Sequence, residues 1–314
     1  MDKVYDLIII GGGPAGITAG IYAKRAGMSV CILEKKSNLG GQVYTTSEIL
    51  NYTGYKKISG PDLTQKMVDQ LTENNVEVIF DEVLDSSLSE DVKVIKCKNA
   101  EYKSRTVIIA TGTEVRRLGI GNEFSFINKG VSYSTLADGK KFAGKVVMVV
   151  GGGNSALEDA IYMSNIASKV YLVHRRDRFR GEQALIEKIE NIENIEICYN
   201  SKIYSLNSEN VNLESVTFED VNNESEKKTI SVDCLFVAIG RGVDTDFIDE
   251  KVIRTNLGYI EADAEMKTNL DGVFVAGDIR NTPYRQIVCA TGDGAIASVS
   301  AYKYVSKQKG TLYE

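Results

Sequence analysis

Residues 5–16 read Tyr5-Asp6-Leu7-Ile8-Ile9-Ile10-Gly11-Gly12-Gly13-Pro14-Ala15-Gly16. An apolar run of strand length ends in Gly11-x-Gly13-x-x-Gly16, and a helical stretch follows as far as Ala26. Gly27 is placed to cap that helix in the left-handed conformation. A second apolar run, Ser29 to Leu33, then delivers Glu34. Strand, glycine turn, helix, strand and acid in this order make a complete βαβ dinucleotide-binding unit. The glycines allow a tight turn and a close approach of backbone to a pyrophosphate, and the helix N-terminus faces the negative charge. The acid after the second strand accepts from a pair of ribose hydroxyls.

The same order returns further on. Lys145 to Val150 is a strand, Gly151-Gly152-Gly153-Asn154-Ser155-Ala156 opens a helix, and Val170 to Val173 is the next strand. Glu34 and His174 each stand 23 residues after the first glycine of their motif. In the second copy the acid is replaced by His174, with Arg175, Arg176 and Arg180 close behind. A carboxylate there repels a 2′-phosphate, whereas arginines bind one through charge-assisted hydrogen bonds. The first site is expected to hold a nucleotide with a free ribose, and the second to prefer NADPH to NADH. Taken alone, His174 reads as a surface histidine and the arginines as a solvated charge run; the matched spacing is what sets them together.

Composition narrows the alternatives. A chain of 314 residues suits about two domains. Hydrophobic residues at 43% and charged residues at 25% are those of a globular chain. Glycine, with 28 residues, stands above its usual share of about 7%. The net charge of -6 argues against a nucleic-acid partner. No stretch approaches the roughly 18 apolar residues of a membrane span. Met1-Asp2-Lys3-Val4-Tyr5-Asp6 leads straight into the first strand pattern and lacks the charged region and cleavage site of a signal peptide. One histidine leaves no histidine-built metal site, so no metal is expected. The cysteines, Cys31, Cys97, Cys198, Cys234 and Cys289, lie at least 36 residues apart, which is neither a zinc pattern nor a C-x-x-C. The first four read as buried strand residues, and a reduced, cytoplasmic protein is expected.

With these motifs in place the chain resembles the low-molecular-weight thioredoxin reductases over nearly its whole length. Gly40-Gly41-Gln42 and Asn51 fit that family's flavin-binding segment, and Ile109-Ala110-Thr111-Gly112 fits the strand end that closes the first part of its FAD domain. Gly277-Asp278 with Arg285-Gln286-Ile287 fits its closing FAD loop, and His174-Arg175-Arg176-Asp177-Arg178-Phe179-Arg180 fits its NADPH phosphate signature. The resemblance implies an α/β fold of two Rossmann-like dinucleotide-binding domains, the NADPH domain inserted into the FAD domain. FAD contacts are implied for Gly11, Gly13, Pro14, Ala15, Gly16, Glu34, Lys35, Gly41, Gln42, Asn51, Val83, Ala110, Gly112, Gly277, Asp278, Arg285, Gln286 and Ile287. NADPH contacts are implied for Gly151, Gly153, Asn154, Ser155, Ala156, His174, Arg175, Arg176, Arg180, Ile239 and Gly240. A homodimer, and rotation between the two domains, are implied as well.

One segment departs from the family. Its disulfide chemistry uses a C-x-x-C followed by Asp-Gly, and here the stretch reads Val131-Ser132-Tyr133-Ser134-Thr135-Leu136-Ala137-Asp138-Gly139. The flanks stand, including Asp138, which the resemblance marks as the acid toward the dithiol, but the two cysteine positions hold Ser134 and Ala137. A hydroxyl and a methyl cannot form a disulfide or relay two electrons. Hydride transfer from NADPH to FAD needs orientation and electrostatics, not a protein nucleophile, and it survives. Three outlets follow for the reduced protein. The first resembles the ferredoxin or flavodoxin–NADP reductases of this type, to which Lys141-Phe142-Ala143-Gly144-Lys145 has a local likeness; against it, those enzymes carry a longer C-terminal extension over the flavin, and Tyr313 reads sooner as a frayed end than as a shortened cover. The second is a small acceptor such as oxygen or a quinone. The third is a flavin- and nucleotide-binding regulatory protein without catalysis. Thioredoxin reduction through other cysteines stays open beside them, and Cys289, just after the flavin-contacting segment, is the one placed to approach the cofactor.

The breaks put the FAD domain at residues 1–113 and 244–314 and the NADPH domain at 114–243. Gly60-Pro61-Asp62 predicts a helix running toward Asn75, followed by a strand from Val76 to Phe80. Alternation from Ile203 to Ile230 predicts a solvated antiparallel meander. Residues 81–105 support no finer reading.

Overall fold

The computed structural model describes residues 3–46 and 48–311, so Tyr313 lies outside the described residues. The chain forms two compact units. One takes in the chain up to Glu114 and again from Gly242, and the other spans Val115–Arg241.

The first unit begins with β1 (Val4–Ile10), α1 (Pro14–Arg25) and β2 (Val30–Glu34). Next come α2 (Gly60–Glu73), β3 (Glu77–Phe80), β4 (Val83–Ser87), β5 (Lys93–Cys97) and β6 (Glu101–Ile109). The second unit is reached through β7 (Glu114–Val115) and contains β8 (Val131–Ser132), α3 (Thr135–Asp138), β9 (Val146–Gly151), α4 (Asn154–Ser164), β10 (Lys169–Val173), α5 (Gln183–Glu190) and β11 (Ile195–Cys198). It continues with β12 (Ser201–Asn207), β13 (Ser215–Asp220), β14 (Lys227–Ser231) and β15 (Cys234–Ala238). The chain returns through β16 (Arg241–Gly242) to β17 (Val273–Val275) and the long α6 (Ile287–Lys309).

Among the described residues the first unit's sheet runs β3-β2-β1-β6-β5-β4, with β17 also pairing β6. β1, β2, β3, β6 and β17 pair in parallel, while β4, β5 and β6 are antiparallel. β1 is buried at every position from Tyr5 to Ile10, as a parallel strand covered on both faces requires. On one face α1 and α6 approach closely because their facing residues are small. A Cβ on Gly294 would lie 2.2 Å from the Ala15 carbonyl oxygen, so only glycine lets the two backbones meet there. Ala297 and Ala301 continue that seam and are fully buried.

The end of α6 is tied to the start of β1. Lys309 Nζ lies 2.6 Å from the Asp6 carboxylate, which also accepts from the Ser29 amide at 3.1 Å. Burial alone would raise the Asp6 carboxyl, but the hydrogen bonds from Lys309 and Ser29 leave it below its ordinary range. A carboxylate held below its unfolded value stabilises the fold above that value, and the contribution fades as pH falls through the lowered one. We expect the acid-side loss of thermal stability, below about pH 4, to be shallower in Lys309→Met, with melting followed across a pH series; an unchanged acid limb would refute this anchor.

The second unit carries a parallel sheet, β11-β10-β9-β15-β8, and a separate antiparallel sheet, β12-β13-β14, with a register shift between Ile203 and Ser205. The antiparallel meander overlaps the alternating segment Ile203 to Ile230 and extends slightly past both its ends, but it is not simply solvated: Leu206, Val216 and Phe218 are buried. The cysteines divide differently from the expectation of four core positions. Cys31 and Cys234 are buried, whereas Cys97 and Cys198, the last residues of β5 and β11, are half-buried, because strand ends lose the cover that strand centres have. Cys289 sits in the first turn of α6, and all five are free thiols.

Candidate functional site

The first glycine turn opens a cleft within the first unit. Gly13 is the N-cap of α1 and has no side chain to satisfy the helix's first amides, so these are left for a ligand. Gly11 stands at φ +107°, and a Cβ there would lie 2.5 Å from the Ala110 carbonyl oxygen. Gly16 is under the floor, not on it: its Cβ would meet the Gly11 carbonyl oxygen at 1.9 Å.

Glu34, 8% exposed, accepts from the Gly12 amide at 2.7 Å and from the Lys36 amide at 2.9 Å. The glycine turn thus orients its own acid, and each carboxylate oxygen keeps a further lone pair for a ribose hydroxyl. Gly11, Gly13, Pro14, Ala15, Glu34 and Lys35 line the cleft, joined by Val83 from β4. Gly41, Gln42, Ala110 and Gly112 line it too, and Gln42 Nε2 donates to the Thr113 carbonyl at 2.8 Å and its hydroxyl at 3.0 Å. Gly277, Asp278, Arg285, Gln286 and Ile287 line it as well. Asn51 lies off this lining and is linked to it by donating to Gln286 Oε1 at 3.0 Å. Cys289 is not among the lining residues; Gln286, Ile287 and Ala290 are.

Sequence reasoning missed what holds the Gly277 turn. Asp293, 7% exposed on α6, accepts from the Gly277 amide at 3.1 Å, and both its oxygens bind Arg280, at 3.0 and 3.1 Å. On the other side Arg285 Nε donates to the Asp278 carbonyl at 3.3 Å while its guanidinium stacks 4.1 Å from the Tyr259 ring centre. An acid in a helix of small residues was the available signal; its partners come close only on folding.

In the second unit the strand ends gather the other predicted group. Gly151, at φ +156°, is pressed between the Ala238 carbonyl and Ala156: a Cβ would lie 2.3 and 2.6 Å from them. Ile239 and Gly240 follow directly from β15 beside it. Gly153 caps α4 without a side chain, Asn154 and Ser155 open the helix, and Asn154 exchanges hydrogen bonds with the Glu182 amide and carboxylate at 2.8 Å. The Arg180 amide donates to the Gly152 carbonyl at 2.8 Å, which draws the arginine turn over the glycine turn. Arg175, Arg176 and Arg180 are exposed, as is Arg178. His174 is not a surface residue: it is 5% exposed, with its ring directly beneath Gly152. The missing Cβ of that glycine makes the room.

After β8 the chain makes a single helical turn, α3. Ser134 is the N-cap of α3, and its hydroxyl accepts from the Ala137 amide at 3.3 Å. Both side chains are exposed. Asp138 accepts from the Ser132 hydroxyl at 2.7 Å and pairs with Lys141 at 2.6 Å. Burial alone would raise its carboxyl, but those hydrogen bonds leave it below the usual carboxylate range. Thr135 donates to Asp159, a carboxyl raised by burial.

Two glycine turns, each at the C-terminal ends of parallel strands, define a protein of two Rossmann-like units. The pattern of the pyridine nucleotide-disulphide oxidoreductases matches residues 5–294. The chain is 39% identical over 313 residues to the thioredoxin reductase of Bacillus subtilis, covering 99% of this chain and 98% of that one. It is 40% identical over 312 residues to that of Ureaplasma parvum, covering 97% and 98%. The crystal structure of Lactococcus lactis thioredoxin reductase superposes with a TM-score of 0.81 at 35% identity, covering 96% of this chain and 99% of that one. The chain belongs to the thioredoxin reductase family of the pyridine nucleotide-disulphide oxidoreductases. It is therefore a flavoprotein-type oxidoreductase with Rossmann-like units. Among the described residues no helix is long and apolar enough to cross a membrane.

Proposed function

We propose that this chain is an NADPH-dependent FAD oxidoreductase that delivers electrons to an acceptor without a disulfide relay of its own. The observation that carries this reading is the pair Ser134 and Ala137 at the positions where the family's dithiol stands. Three of the five thiols support it. Cys234 is fully buried, and burial pushes its thiol far up, so it stays protonated and out of reach. Cys31 and Cys97 are pushed up to about 12, chiefly by burial. Asp138, held below the usual carboxylate range, is ionised at neutral pH and accepts protons' hydrogen bonds instead of supplying a proton.

The residues of the first unit fit FAD. Gly11 and Gly277 hold positive φ where a backbone must turn toward a ligand, and Glu34 is fixed for a ribose. Asp278, Arg285 and Gln286 line the same cleft, and in this reading they hold and orient the ribityl chain and ring. In the second unit Arg175, Arg176 and Arg180 hold a 2′-phosphate and the α4 N-terminus holds a pyrophosphate. Bound in these sites, the nucleotides supply hydride and electron transfer; the chain supplies position, charge and exclusion of water. The family's homodimer and a cytoplasmic location complete the reading. The exposed apolar stripe Val288, Ile296, Val299 and Tyr302 along α6 supports the dimer, to be checked by light scattering.

Anaerobic NADPH is expected to bleach the flavin absorbance of the FAD-loaded protein, with NADH much slower. Reoxidation by ferredoxin or flavodoxin marks the reductase outlet, and reoxidation by oxygen or a quinone the small-acceptor outlet. Turnover with thioredoxin or a small aromatic disulfide, at rates matching NADPH consumption, would overturn the reading. Bound FAD that NADPH leaves unbleached would favour a regulatory nucleotide-binding protein.

A further inference from the structure

His174 is the chain's one histidine, and it occupies an unusual place. Its amide and carbonyl lock it to the end of β11 and the start of β12, through the Cys198 carbonyl and the Ser201 amide, each at 2.9 Å. Its ring fills the space beneath Gly152, where a Cβ would lie 2.2 Å from Nδ1 and 2.6 Å from Nε2. The Phe179 ring packs against it at 5.4 Å, and Tyr199 packs on Phe179 at 4.9 Å. One ring nitrogen is engaged with the Arg178 backbone, while Nε2 is buried with no partner. The imidazole is therefore the common floor of the glycine turn and the arginine turn.

The groups around it are mostly cations. Arg175, Arg176, Arg178 and Arg180 share its turn with one exposed acid, Asp177. Tyr199 faces the stack from β11's end and stays neutral, its hydroxyl raised by burial. Glu182, after the turn, is committed to Asn154. The glycine turn contributes no charge.

We infer that His174 couples proton uptake to NADPH binding: a 2′-phosphate held by Arg175, Arg176 and Arg180 offsets their positive field and raises the proton affinity of the imidazole beneath them. The inference rests on the NADPH reading of this site. Burial holds the free ring below its ordinary value, the hydrogen bond to the Arg178 backbone opposes it, and Arg180, Arg176 and Arg175 add smaller downward shares. A bound dianion cancels the arginine share of that shift and leaves the burial share in place. By linkage, whatever raises the folded-state proton affinity on binding also tightens binding as pH falls into the histidine range. NADH, without the phosphate, does not do this. The atoms balance simply: one proton passes from solvent to Nε2, and no bond to the nucleotide forms or breaks.

The phosphate itself, with a second pKa near about 6, sheds a proton on meeting arginines, so the signal must be read as a difference. Anaerobic calorimetric titration of the FAD-loaded protein with NADPH, the flavin photoreduced beforehand so that the nucleotide binds without hydride transfer, at about pH 6.5 in buffers of contrasting ionisation enthalpy, gives protons taken up per nucleotide. Wild type should take up roughly 0.2–0.5 more protons than His174→Asn, which keeps a side-chain donor but does not titrate. NADH should give no difference between the two proteins. Equal proton numbers with NADPH, or the same difference with NADH, would overturn the inference while leaving NADPH binding intact. If wild type does not bind NADPH at about pH 8, the reading of the site itself fails. FAD content and melting temperature of His174→Asn report separately whether the variant is folded.

Discussion

Gly16→Ala is expected to strip the first site of its cofactor. The added methyl would lie 1.9 Å from the Gly11 carbonyl oxygen and 3.1 Å from its carbon. Both atoms are backbone, and Gly11 is itself wedged against Ala110, so neither can move aside cheaply. α1 must back away from the turn, which spoils the amide cradle at its N-terminus. Overpacking of this kind costs about 1–3 kcal/mol, or roughly 5- to 160-fold in FAD affinity, with a lower melting temperature. The contrast is Gly13→Ala. Gly13 has φ -77°, and a Cβ there meets nothing within 4 Å. That variant should fold normally, so any flavin it loses reports a clash with the ligand and not with the loop. The ratio of flavin to protein absorbance after gel filtration measures both. Equal retention in Gly16→Ala and wild type would show that the turn is not the cradle.

Arg175→Ala with Arg176→Ala should nearly erase the choice between NADPH and NADH. Both arginines are exposed, on a turn pinned to Gly152 by the Arg180 amide and held by the Asn200 amide bonding to the Arg176 carbonyl at 3.1 Å. A charge-assisted hydrogen bond contributes about 1.5–3 kcal/mol. Losing two should raise the NADPH dissociation constant by about 100-fold or more and leave that of NADH nearly unmoved. Wild-type preference should also shrink with salt, because exposed charges are screened. Stopped-flow flavin reduction by each nucleotide gives the ratio, and an unchanged ratio would place the phosphate elsewhere.

Both nucleotide turns were legible from the chain because their signals are local. β1, α1 and β2 need only an apolar run, three glycines and an acid, and β9, α4 and β10 repeat the grammar. The β4–β5 hairpin was not legible. Leu84 and Asp85 are both exposed and only Ser86 of that strand is buried, so no alternation marks it, and its register breaks between Val83 and Asp85. The Asp293–Arg280 pair was invisible for another reason: neither residue belongs to a motif, and their meaning lies in the Gly277 amide between them. His174 was read on the right turn but on the wrong side of it. Exposure depends on Gly152 opening a hole, and a sequence records the small residue without recording what fills the space.

The capped turn at Ser134 has a physiological consequence. A cysteine pair in that position changes covalent state with its surroundings, and the local backbone must serve two states. Here the turn is closed by a hydroxyl accepting the Ala137 amide, a bond indifferent to peroxide, glutathione or oxygen. Nothing in Val131–Asp138 can store an electron pair, form a mixed disulfide with a partner, or be over-oxidised. The closing bond of this turn therefore involves no sulfur, and thiol oxidants have nothing to act on within it.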